Sequence, residues 1–172
     1  MLSLRVLIVD DEANQREMLA GFLAKQGYQV SAAASGEQAL ELAQEQSFEI
    51  GLFDMKMPGI TGVELMARLH QRDPELQVIV ITAFGSVETA VAAMQQGAFS
   101  YLCKPVNLDE LLELLKNAGE KHHLLNENRE LRERLAQFES AEIIGKSKAI
   151  EQLLSELVRV APTEATVLIT GE

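Results

Sequence analysis

Four short apolar runs in this chain end in residues that carry a charge or a hydroxyl. "VLIVDDE" ends in Asp10, Asp11 and Glu12, and "GLFDMKMPG" delivers Asp54. "VIVIT" ends in Thr82, and "FSYLCKP" leads to Lys104 and Pro105. If the first and third runs are neighbouring strands, ~4.8 Å apart, three or four carboxylates crowd one pocket. Like charges so close resist joint ionisation, and a divalent cation is the natural remedy. Only oxygens are on offer, which favours Mg²⁺ over zinc or copper, and Mg²⁺ works readily with phosphate oxygens. The chemistry that follows is phosphoryl transfer, with a carboxylate itself as nucleophile and an aspartyl phosphate as product. The transferred group needs counter-charge more than covalent help. Mg²⁺ would hold one oxygen, the Lys104 ammonium a second and the Thr82 hydroxyl a third. Asp54, central at the tip of its strand, is the candidate nucleophile, while Asp10 and Asp11 suit metal holding. A single strand-end aspartate is ordinarily a solvated loop residue; the specificity lies in the whole set, in this order.

These residues need a scaffold that gathers strand tips. Five β-rich runs, 4–9, 28–33, 48–53, 76–82 and 99–103, alternate with segments of helical spacing. Val87, Ala90, Val91 and Met94 follow one helical face, as do Leu108, Leu111, Leu112 and Leu115. Ser35 with Gln38, and Asn107 with Glu110, read as helix N-caps with capping-box partners. Gly27 and Gly97 stand where helices should stop. Strands alternating with helices imply an α/β fold with a parallel sheet covered on both faces. A doubly wound, flavodoxin-like order of 2-1-3-4-5 fits, with ligands at the carboxyl ends where strands 1 and 3 diverge.

Bulk composition narrows the function. The 172 residues are 47% hydrophobic and 24% charged, as suits one ordinary domain with something attached. The net charge is −11, so the surface repels phosphate backbones and direct nucleic-acid binding by this chain is not expected. One cysteine, Cys103, excludes an internal disulfide and fits a reducing cytoplasm. No signal peptide is expected, and the apolar runs are far too short to span a membrane.

Beyond the fifth strand the pattern changes. Residues 108–139 hold no proline and only one glycine, Gly119, where a bend is possible. Leu124, Asn128, Leu131, Leu135 and Phe138 are spaced 4, 3, 4, 3, a short heptad seam with a polar member. Helix 5 is therefore expected to run on into a coiled-coil linker that pairs two chains. The alternative is an amphipathic helix packed on its own domain, since fewer than three heptads is short. From Ile143 a third segment begins. Ile150, Leu153, Leu154, Leu157 and Ala161 share a helical face, Ser147 is a candidate cap, and "TVLITGE" reads as a strand and the start of a turn. A helix and strand of ~30 residues cannot bury a core by themselves. The organisation read from the sequence is 1–118, a linker at 119–142, and a fragment of a further domain at 143–172.

"VLIVDDE", "LFDMKMPGITG" and "VITAFGSVETAVAAMQQGAFSYLCKP" together resemble the receiver domain of two-component response regulators, across residues 4–118. The resemblance implies that Asp54 is the phosphoacceptor, loaded by a sensor histidine kinase. It implies Asp10 and Asp11 as the acidic pair, with Asp11 the direct Mg²⁺ ligand, and the Lys56 main-chain carbonyl as another. Thr82 matches the switch hydroxyl, Lys104 the phosphate-contacting lysine and Tyr101 the rotating aromatic. The family often has a cis bond before the residue matching Pro105. The third run is similar to the subgroup joined to sigma-54-dependent activators of the nitrogen-regulatory-protein-C type. "IIGKSKAIEQLLSELVRVAPTEATVLITGE" is similar to the opening of their AAA+ ATPase domain, whose Walker A loop would follow; no ATP-binding residues are expected in this chain, which reads as truncated. Val106 departs from the subgroup, which usually has Phe there. The resemblance also implies a homodimer through the linker and the helix 4, strand 5, helix 5 face. In a full-length protein it implies contacts with sigma-54 RNA polymerase and DNA. Lys56 and Phe84 each lie two residues beyond a site residue, where attacking water must pass, and bulky Phe84 is expected to slow phosphate hydrolysis.

Competing readings fit less well. An aspartate-nucleophile phosphatase of the haloacid-dehalogenase kind wants D-x-D, but Met55 and Lys56 follow Asp54. A flavin binder wants a neutral Ser/Thr-rich phosphate loop, not "DDE". A non-phosphorylated receiver used only for dimerisation leaves the complete acid, hydroxyl and lysine set without a purpose. The chain is thus expected to be a switch rather than an enzyme. "GKS" at 145–147 lacks the strand and the glycine, Ser140 here, that a phosphate loop needs. His122 and His123 are adjacent on a helix and splay apart, so a shared metal is not expected. Cys103 is expected to serve packing, and Met55 and Met57 to cover the loop around Lys56.

Overall fold

A computed structural model describes residues 4–83, 87–139, 147–160 and 168. The elements in chain order are β1 (Arg5–Val9), α1 (Ala13–Lys25), β2 (Gln29–Ala33), α2 (Gly36–Glu45) and β3 (Ile50–Asp54). Then come α3 (Gly62–Arg72), β4 (Gln77–Thr82), α4 (Val87–Gln95), β5 (Ser100–Cys103), α5 (Leu108–Glu139) and α6 (Lys148–Val160). The five strands form one parallel sheet in the order β2-β1-β3-β4-β5, the doubly wound arrangement expected from the sequence.

Strand alternation divides the apolar residues between two faces. Leu7, Val9, Phe53, Val78 and Val80 pack with Leu65, Met66 and Leu69 of α3 and Ala93 of α4. Val6, Ile8, Ile50, Leu52, Ile79 and Ile81 pack with Leu19 and Leu23 of α1 and Leu111, Leu115 and Ala118 of α5. The central strands β3 and β4 are buried along their whole length, as sandwiched parallel strands must be.

The local signals behave as chemistry requires, with instructive exceptions. Ser35 Oγ accepts from Gln38 N at 3.3 Å, but the Gln38 side chain accepts from Ala34 N, one residue earlier than a capping box prescribes. Asn107 Oδ1 caps α5 by accepting from Asp109 N and Glu110 N. The full capping box lies at Thr61 and Glu64, a pair the sequence reading passed over. Gly27 and Gly97 end their helices with φ of 91° and 100°. On α4, Ala93 enters the core while Val91 and Met94, two members of the expected apolar face, are exposed; the side chains of the other two, Val87 and Ala90, lie outside the described residues. Cys103 is exposed as well, which corrects its expected packing role; β5 is a sheet edge, and Leu102 is its buried residue.

Helix α5 continues through Gly119, where a Cβ would press on Leu4 of the strand end, so this glycine makes room for packing. Of the seam residues, Leu124, Asn128, Leu131 and Leu135 are exposed, while the Phe138 side chain lies outside the described residues. The chain divides into two compact units, 1–130 and 131–172. In the second, Ser147 Oγ caps α6 through Ile150 N at 3.3 Å, and Ile150, Leu153, Leu154 and Leu157 are half-buried. Of the expected strand within "TVLITGE" only Leu168 is described, exposed and not in a strand; the rest of it, like Ile143, Phe84, Ala161 and the "GK" of "GKS", lies outside the described residues.

Candidate functional site

The site is a product of strand register. β1 and β3 pair with Val9 opposite Phe53, so the next residues, Asp10 and Asp54, leave the sheet side by side. β3 and β4 pair with Asp54 opposite Ile81, and β4 and β5 with Thr82 opposite Cys103. Thr82 and Lys104 thus belong to the same end of the sheet, and Lys104 N donates to the Thr82 carbonyl at 2.8 Å.

Asp10, Asp54 and Thr82 are 1%, 6% and 2% exposed. Buried carboxylates need partners. The Lys104 ammonium supplies one, 2.5 Å from Asp54 Oδ2 and 3.2 Å from Asp10 Oδ2. The other oxygens take main-chain donors: Glu12 N reaches Asp10 Oδ1 at 2.8 Å and Lys56 N reaches Asp54 Oδ1 at 3.1 Å. Burial pushes the Asp10 carboxyl above its usual range, and the Asp54 charge adds to this against the pull of Glu12 N and Lys104. Burial opposes the charge on Lys104, but its bonds to Asp54 and Asp10 outweigh that and raise its pKa. The peptide bond between Lys104 and Pro105 is cis.

One ligand oxygen from each of Asp10, Asp11 and Asp54 lies within 4.8 Å of the others, with Asp11 exposed and the other two buried. The donor set is all oxygen, it is open on the Asp11 side, and it suits a hard divalent cation that retains water. Lys56 follows as an exposed loop residue, and Met57 is buried beneath that loop beside a half-buried Met55. Tyr101 stands apart from the acid pocket, 39% exposed on β5. Phe84 lies outside the described residues.

Two supporting residues had no signal in the sequence reading. Arg16, on the first turn of α1, donates through Nη1 to the Asp10 carbonyl at 2.6 Å, tying the helix start to the acidic loop. Gly62 opens α3 directly against the backbone of Asp54; a Cβ there would collide with the Asp54 carbonyl oxygen. The helix can lie so close to the phosphoacceptor candidate only because the side chain is absent.

Comparison with known proteins agrees with this geometry. The family described as response regulator receiver domain matches residues 6–116. The chain is 39% identical over 167 residues to the transcriptional regulatory protein ZraR of Escherichia coli K12, covering 97% of this chain and 37% of that protein. It is 34% identical over 168 residues to the C4-dicarboxylate transport transcriptional regulatory protein DctD of Rhizobium meliloti, covering 97% of this chain and 36% of that one. Among solved structures, NtrX from Brucella abortus, crystallised with ATP, superposes with a TM-score of 0.72 at 31% identity over 94% of this chain and 35% of its own. A receiver domain from Clostridium thermocellum superposes at 0.67 with 31% identity, over 71% of this chain and 98% of that chain. The chain spans little more than a third of the length of the curated relatives it matches. Among the described residues no helix is long and apolar enough to cross a membrane. The register that sets Asp10 beside Asp54 and the match across residues 6–116 lead to one identification: this chain belongs to the response regulator receiver family.

Proposed function

We propose that this chain is a phosphorylation-controlled switch that takes a phosphoryl group from a sensor histidine kinase onto Asp54. The carrying observation is the Asp54 carboxylate, buried at the strand tip, with Lys104 Nζ 2.5 Å from one oxygen and Lys56 N on the other. An Asp54 oxygen attacks phosphorus, a P–O bond forms, the P–N bond to the kinase imidazole breaks, and that nitrogen keeps the electron pair. Asp10, Asp11, Asp54 and the Lys56 main-chain carbonyl would hold Mg²⁺, which supplies counter-charge to the phosphoryl oxygens. Lys104 follows the new phosphate and Thr82 turns its hydroxyl toward it. Tyr101, exposed in this structure, moves with Thr82 and alters the α4-β5-α5 face. Lys56 and Phe84 tune how readily water reaches the acyl phosphate. The chain does not turn over a substrate of its own; it assists its own loading and unloading.

The output is control of pairing between two copies. The exposed residues Leu124, Asn128, Leu131 and Leu135, with Phe138, supply a seam, and Val91, Met94 and Tyr101 supply a second exposed face. The organisation we propose is a receiver at 1–118, a linker at 119–142, and from 143 the opening of an AAA+ ATPase domain. Similarity to transcriptional regulatory proteins and to an ATP-bound relative over nearly the whole chain supports this. In a longer protein that ATPase would act on sigma-54 RNA polymerase at DNA, in the cytoplasm.

The test is intact-mass analysis after treatment with acetyl phosphate and Mg²⁺. Wild type should gain one phosphate and Asp54→Asn none. Equal labelling of both would sink the assignment of Asp54.

A further inference from the structure

The opposite end of the sheet carries a contact that phosphoacceptor chemistry does not need. Helix α5 packs on the domain through Leu111, Leu115 and Ala118, all fully buried. Continue that stripe at the same 3- and 4-residue spacing and it passes through His122, Asn126 and Arg129. The helix has by then run past the apolar core, and the stripe turns polar. His122 and Asn126 remain half-buried, because the loops at the amino ends of the strands rise to meet them. Together these residues wall a cleft of about 380 Å³ with Arg5, Glu49 and Glu75.

The contact is specific at each end. Arg129 Nη1 lies 3.3 Å from Glu75 Oε2, and its Nη2 is 2.5 Å from Asn126 Oδ1 on the preceding turn, which aims the guanidinium. Glu75 is itself held: its N–H donates to Asp73 Oδ1 at 3.1 Å and its carbonyl accepts from Gln77 Nε2 at 2.6 Å. On the neighbouring flank, Lys121 Nζ sits 5.3 Å from the centre of the Phe99 ring, a cation–π distance.

Leu124 and Asn128 each lie two residues from a member of this stripe, hence roughly 200° around the helix at 3.6 residues per turn. They are exposed, so the same two turns present one face to the domain and the opposite face to solvent.

We propose that the His122, Asn126 and Arg129 face is a strap. It fixes the rotational setting of α5 as the helix leaves the sheet, so that Leu124 and Asn128 point away from the domain. Being polar and built on an ion pair whose arginine is half exposed, the strap can open without disturbing the core. Its use in orienting the seam rests on the pairing reading above; its existence does not.

Hydrogen–deuterium exchange on the 172-residue chain tests it. Wild type, Glu75→Arg, Arg129→Glu and the double swap are compared at one concentration where light scattering reads the same mass for all. Each single reversal should speed exchange of amides 120–130 by roughly three- to tenfold, the scale of a half-exposed ion pair turned repulsive. The double swap should return it toward wild type. Amides of β1 and β3 report whether a variant still folds. Should a reversal disturb them, Asn126→Ala, which leaves both charges in place, should give a smaller change in the same direction. Unchanged exchange in the variants that fold, or a double swap as fast as the singles, overturns the strap. A chain that is monomeric at every concentration removes the pairing reading and leaves the strap result standing.

Discussion

At the carboxyl end of the sheet, two buried carboxylates, Asp10 and Asp54, share the ammonium of Lys104. At the amino end, Glu49 is the carboxylate paired with Arg5: Arg5 Nη2 lies 2.6 Å from Glu49 Oε1, and Arg5 N donates to Oε2 at 2.6 Å. Both ends are acid–base constellations on adjacent strands, yet they respond to protons in opposite directions. Burial raises the pKa of Asp10, with the Asp54 charge adding to it. At Glu49 burial also pushes upward, but the bonds and charge of Arg5 prevail and the carboxyl is held below its usual range. An acid with a raised pKa stabilises the fold below its unfolded value and loses that contribution as pH rises. An acid with a depressed pKa does the reverse. At neutral pH the burial of Asp10 therefore costs stability at one end, while at the other the ion pair of Glu49 adds to it.

The largest test of this contrast is steric. Gly62→Ala drives a methyl into the Asp54 carbonyl, which is main chain in a buried strand and cannot step aside. We expect a loss of about 3 kcal/mol, the upper range for overpacking, read by urea unfolding. A loss under about 0.5 kcal/mol, the scale of an ordinary surface change, would show that the helix start is free to shift. Next comes Lys104→Met, which strands two like charges. In chelator-treated protein it should cost about 2 kcal/mol, less than the roughly 3–5 of a closed buried pair, because the pocket opens to water at Asp11. Adding Asp10→Asn should recover part of that loss, and strict additivity would mean the two groups do not communicate. The smallest effect belongs to the amino end. Glu49→Gln should lower stability at neutral pH by about 1 kcal/mol, modest because the Arg5 side chain is 35% exposed. The difference should vanish as pH falls below about 4.3 and through the depressed pKa of Glu49. For Asp10→Asn the sign reverses: the variant is the more stable at neutral pH, and its advantage shrinks as acid protonates the wild-type Asp10. If both differences ran the same way with pH, the contrast would fail.

The same two ends differ in how legible they are in sequence. Asp10, Asp54, Thr82 and Lys104 each terminate or follow an apolar run, so short β-rich runs and a parallel topology suffice to gather them. The cap at Asn107 and the stops at Gly27 and Gly97 were equally readable, because their chemistry is local. The amino end was not. His122, Asn126 and Arg129 look like solvated residues of a charged helix, and the half-burial of His122 and Asn126 depends on loops distant in sequence rising to meet them. The α4 face misled for a related reason. Val91 and Met94 continue an apolar period, yet this short helix presents only Ala93 to the core among its described residues, and apolar side chains on its outer face keep the pattern without being buried. Gly62 was invisible because a glycine at a helix start has many uses, and only the nearness of Asp54 O shows which one applies.

The sheet ends laterally in β2 and β5, strands of five and four residues. An unpaired strand margin is a template on which another chain can add main-chain hydrogen bonds, and its reach grows with its length. Here the two margins are short, and the residues they expose are few, Gln29 and Ala32 on β2 and Tyr101 and Cys103 on β5. Association by strand addition, the route to amyloid, finds little length to build on at either margin.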